Sequence, residues 1–126
     1  MPQLAKGGKW IFGWVVVQAG KKITVPPEAY REYGFQAGGE VVFTCGSRRS
    51  GGFGIGRADK IPALLRQRVL TQGRMGQHGR VVLPPEVGVQ VGDRLLAVRG
   101  SGLALGFLAQ GPIYAAALQH SELAVF

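Results

Sequence analysis

Two cations open two apolar stretches that read almost alike. Lys22 precedes Ile23-Thr24-Val25-Pro26-Pro27-Glu28, and Arg80 precedes Val81-Val82-Leu83-Pro84-Pro85-Glu86. Arg80 lies 58 residues after Lys22 (80 − 22). A cation at the start of a strand that prolines then stop is a positive charge on a stiff support. Such a charge can register on phosphate with little loss of entropy. Lys21, Arg31, Arg74 and the pair Arg48-Arg49 add to the set. Catalysis has less to work with. His78 and His120 are far apart and read as turn or surface histidines, and Cys45 closes an apolar strand as a small core residue. No His/Cys/Asp cluster has metal-ligand spacing. Gly51-Gly52-Phe53-Gly54-Ile55-Gly56 does not fit the dinucleotide fingerprint. The chain therefore reads as no enzyme, with no metal and no cofactor.

The wider composition agrees with an anionic partner. Among 126 residues there are 15 Lys+Arg against 7 Asp+Glu, a formal charge of +8 and a pI near 10.4. That balance speaks to association and not to fold. Only 17% of residues are charged, so the excess rests on few side chains. The single cysteine allows no internal disulfide and fits a reducing cytosol. Lys6 and Lys9 ahead of Trp10–Val17 mimic a short signal peptide, but two Trp and three Val suit a strand better. No apolar run approaches the roughly 20 residues of a membrane span. The expected location is the cytoplasm, beside the nucleoid.

The elements that would position these cations come in two copies. Trp10–Val17 reads as a buried strand, with Lys21–Val25 as its hairpin partner. Pro26-Pro27 ends that strand, because proline cannot donate to a ladder. A short helix over Pro27–Tyr33 follows, with Gly34 past its end. Glu40–Cys45 and Gly52–Ile55 are further strands, joined by the basic loop at Arg48-Arg49. Over 57–73, Ile61, Leu64, Leu65 and Val69 predict a linker helix, with Asp59 as its cap and Arg66 and Arg68 on its wet face. The second copy supplies strands Arg80–Leu83, Arg94–Arg99 and Leu103–Leu108, then a helix from Gly111-Pro112. Arg94 lies 54 residues after Glu40 (94 − 40), so the second copy is four residues shorter before its Gly-Asp turn. Only Val87 and Gly88 stand where the first copy has its helix. The organisation is a first repeat over 10–56, a linker over 57–73 and a second repeat over 74–126.

A basic residue, an apolar run, Pro-x-Glu and then apolar-x-x-Gly-Asp-x-Leu resembles the AbrB/SpoVT/MazE-type swapped-hairpin domains. The second copy carries this at Gly79–Glu86 and Val89–Val98, and the first at Lys22–Glu28, Arg31 and Gly34–Phe43. A Gly-Ser turn follows each third strand, at Gly46-Ser47 and Gly100-Ser101. The resemblance implies a mostly β fold in which two units interlace into one closed barrel. Here both units lie in one chain, which implies an intramolecular pseudo-dimer, with a homodimer of chains as the rival. It further implies a transcriptional regulator gripping double-stranded DNA through Lys22 and Arg80, with Lys21, Arg31, Arg48, Arg49 and Arg74 in support. Arg31 has the alternative of pairing with Glu28 or Glu32, and Arg48-Arg49 that of a solvated loop. The first hairpin departs from the pattern by placing Val15 and Val16 where basic residues often stand, which predicts a lopsided DNA face. The rival functions are a structural or interaction barrel without DNA binding, and an antitoxin. The end at Glu122–Phe126, after a short apolar helix, argues against a toxin partner.

Overall fold

The computed structural model describes residues 11–46, 51–61, 63–100 and 104–126, the side chains of 63–65 excepted. The chain is mostly β. Its strands are β1 (Ile11–Val16), β2 (Lys22–Thr24), β3 (Glu40–Cys45), β4 (Phe53–Arg57), β5 (Val69–Arg74), β6 (Arg80–Val82), β7 (Arg94–Arg99) and β8 (Ala104–Leu108). Two short helices join them, α1 (Pro27–Glu32) and α2 (Pro112–Ala117). Both start at a proline, whose missing N–H costs nothing in a first helical turn. Six strands form one antiparallel sheet in the order β1-β7-β8-β4-β3-β5, and β2 and β6 form a separate ribbon.

That order interlaces the two repeats. The first strand of each pairs with the third strand of the other, β1 with β7 and β5 with β3. The registers follow the spacing of the sequence repeat. Val16 faces Arg94, and Arg74 faces Glu40, positions related by 58 (74 − 16) and 54 (94 − 40). Backbone bonds outside the ladders repeat too. Val25 N–H donates to Gly79 O at 2.8 Å, and Leu83 N–H to Lys21 O at 2.8 Å. Gly38 N–H donates to Met75 O at 2.7 Å, and Gly92 N–H to Val17 O at 2.7 Å. Gly38 (φ 79°) and Gly92 (φ 95°) sit in backbone conformations that side chains rarely adopt.

Side-chain alternation divides the core in two. Phe12, Val15, Ile23, Val81, Phe107 and their neighbours pack in the larger cluster. Ile11, Trp14, Leu96 and Val98 point the other way and pack with Ala117 and Leu123. The C-terminal residues cover the outer edge of β1: Trp14 N–H donates to Ala124 O at 2.8 Å, and Phe126 N–H to Trp14 O at 2.7 Å. Covering an edge removes a template for unwanted pairing.

Four expectations change. Cys45, read as a small core residue, is exposed at the end of β3. The ladders do not close into a barrel among the described residues. Pro26 and Pro84 follow β2 and β6, which are three residues long and pair with each other rather than with the edge strands of the sheet. Lys21–Val25 is not a full hairpin partner of the first strand. The bridge Gln18–Lys22 closes the turn between them, and β2 takes its ladder from β6 instead. The linker helix over 57–73 is replaced by short 3-10 turns at Ala58–Lys60 and Ala63–Arg68 and then by β5. Asp59 does not cap a helix, because its carboxylate accepts two bonds from Arg57, at 3.0 and 2.7 Å. From Val69 on, burial alternates with period two, and the free edge of β3 takes the strand.

Candidate nucleic-acid interface

The β2–β6 ribbon is where the two repeats meet most symmetrically. Ile23 faces Val81, and these residues are also equivalent in the repeat (81 − 23 = 58). Both point inward, at 0% and 2% exposure. Neighbours along a strand point to opposite faces, so Lys22, Thr24, Arg80 and Val82 share the outer face. Lys22 lies opposite Val82 and Arg80 opposite Thr24. The two cations are therefore diagonal neighbours, which in an antiparallel pair stand about 7–8 Å apart.

A groove of about 340 Å³ runs along this face. Lys22, Arg74, His78 and Arg80 line it with Gln77 and Val82, and among the described residues no carboxylate does. Arg74 reaches it from the end of β5. Its guanidinium donates to Gly38 O at 3.0 Å and stands 3.6 Å from a Glu40 carboxylate oxygen. Both side chains of that pair are mostly exposed, so the bridge is weak and exchangeable. Among the described residues, Lys22 and Arg80 have no ion pair.

The turns that present these residues are alike in backbone. Gln18 N–H donates to Lys22 O at 2.8 Å, and Gly76 N–H to Arg80 O at 2.7 Å. Each encloses two successive residues of positive φ: Gly20 (79°) and Lys21 (56°) in one, His78 (59°) and Gly79 (73°) in the other.

Of the expected cations, Lys22, Arg74 and Arg80 come together. Lys21 is half-buried at a turn and does not line the groove. Arg31 is exposed on α1, away from it. Its alternative of pairing with Glu28 or Glu32 is not seen among the described residues; Arg99 donates two bonds to the Glu32 carboxylate, at 2.6 and 2.5 Å. With Gly100 N–H donating to Tyr33 Oη at 3.2 Å, that contact ties the end of α1 to β7. Arg48 and Arg49 lie outside the described residues. Gln77 was not among the expected residues, and His78 stands exposed in a turn as expected; the 58-residue spacing aligns the two with Ala19 and Gly20 and so marks where the tips differ.

No group of three or more His, Cys, Asp or Glu able to hold a metal occurs among the described residues, and none of their helices is long and apolar enough to cross a membrane. No protein-family model and no curated protein matches the chain. One solved structure to which it is similar is the solution structure of PHS018 from Pyrococcus horikoshii. The two are 20% identical, with a TM-score of 0.43 over 89% of this chain and 100% of that one.

Proposed function

We propose that this chain binds double-stranded DNA as an AbrB-like transcriptional regulator, with its two repeats acting as an intramolecular pseudo-dimer. The observation that carries the reading is the groove lined by Lys22, Arg74 and Arg80, drawn from both repeats and without a lining carboxylate among the described residues. The exchange of β1 and β5 between repeats suits a swapped-hairpin core. Interlaced strands hold the cations at fixed spacing, so phosphate contacts cost little ordering.

Each phosphate neutralised contributes about −0.9 to the log–log salt slope, so three contacts give roughly −2.7. Raising salt from about 50 to about 200 mM then weakens binding roughly 40-fold. Fluorescence anisotropy with a labelled duplex checks this. Absence of binding at low salt, or affinity indifferent to salt, defeats the proposal. A second reading, a protein-interaction module, is favoured by Val82, which stands 56% exposed on the same face. Lys22→Glu with Arg80→Glu separates the two: DNA binding is lost on the first reading, and behaviour in cells is unchanged on the second.

A further inference from the structure

The two tips share a backbone and carry different side chains. Counting by 58, Gln77 is equivalent to Ala19, His78 to Gly20 and Arg74 to Val16, whereas Arg80 is equivalent to Lys22. Ala19, Gly20, Gln77 and His78 are all exposed. The face thus keeps its pseudo-two-fold relation in the backbone and in one cation pair, and loses it in every other position of the tips that can bond a base edge. Glutamine bonds adenine in the major groove and arginine bonds guanine, each at two points. Alanine and glycine offer only backbone groups, which suit phosphate, while Gln18 and Lys21 of that tip stand where the other has Gly76 and Gly79.

Resting on the DNA-binding reading, we infer that the protein docks in one orientation on an asymmetric duplex site. The tip at 76–80, with Arg74 beside it, reads base edges. The tip at 18–22 presents Gln18, Lys21 and Lys22 in a different arrangement, and so meets a different set of bases and phosphates. A two-fold protein surface matches a palindromic site; this surface does not.

Selection from a library of random duplexes tests the inference. The wild-type chain enriches a site without palindromic symmetry, preferred over scrambled duplex roughly tenfold or more. The variant Gln18→Gly, Ala19→Gln, Gly20→His, Lys21→Gly gives the first tip the residues of the second up to its cation. Histidine fits there, because His78 already occupies the equivalent backbone at φ 59°. This variant enriches a two-fold symmetric site. The exchange Gln77→Ala with His78→Gly alters only exposed side chains; it changes the selected site and keeps salt-dependent binding. A palindrome selected by the wild type, no enrichment despite salt-dependent binding, or a transplant that leaves the selected site unchanged overturns the inference and leaves DNA binding standing. Absence of any duplex binding removes both.

Discussion

Burial holds the Tyr33 hydroxyl above its ordinary pKa of 10.0, against the opposing pull of the Gly100 amide. The folded chain therefore ionises this group later than the unfolded chain does. The resulting stability is complete below about pH 10 and is lost as pH rises through the folded value. Tyr33→Phe flattens that alkaline loss, and it costs about 1 kcal/mol at neutral pH by removing the bond from Gly100. Urea midpoints of the two proteins from about pH 8 to about pH 11 check both signs. The groove cations behave in the opposite way. Lys22→Ala and Arg80→Ala remove exposed charges without ion pairs among the described residues, so each changes stability by less than about 0.5 kcal/mol. Their effect appears in affinity, measured by anisotropy beside a thermal melt.

At the scale of elements, the central ladder joins the repeats through β4 and β8. Phe53 and Phe107 face each other there, with stacked rings 4.9 Å apart, and Phe107 is fully buried. Phe107→Ala leaves a cavity between the repeats and costs about 3–5 kcal/mol, read as a shift in the denaturant midpoint. Much of this level was legible beforehand. Pro-Pro pairs, the Gly38 and Gly92 turns and alternating apolar residues marked β2, β3, β6, β7 and the repeat spacing, because each acts through local backbone chemistry. Partner choice was not legible. A strand's own residues fix its face but not which edge it meets, so β1 was assigned to β2 although its ladder is with β7. Residues 69–74 were read by helical period because the edge that takes them, on β3, is distant in sequence. The groove was legible at Lys22 and Arg80, whose motif marks them.

For the whole molecule, interlacing removes the choice of folding one half alone. β1 has its ladder in the second repeat and β5 has its ladder in the first. Heat or denaturant therefore unfolds the chain in a single transition, with fluorescence and circular dichroism coincident; two separated transitions contradict the interlaced core. The same interlacing fixes Lys22 against Arg74 and Arg80, and the account of function rests on that shared groove. The decisive measurement is the salt dependence of duplex affinity for the wild type and for the triple variant Lys22→Ala, Arg74→Ala, Arg80→Ala. The account predicts that the variant stays folded and its log–log slope is shallower by roughly 2.7, about 0.9 for each phosphate released. A folded variant whose slope and affinity match the wild type contradicts it.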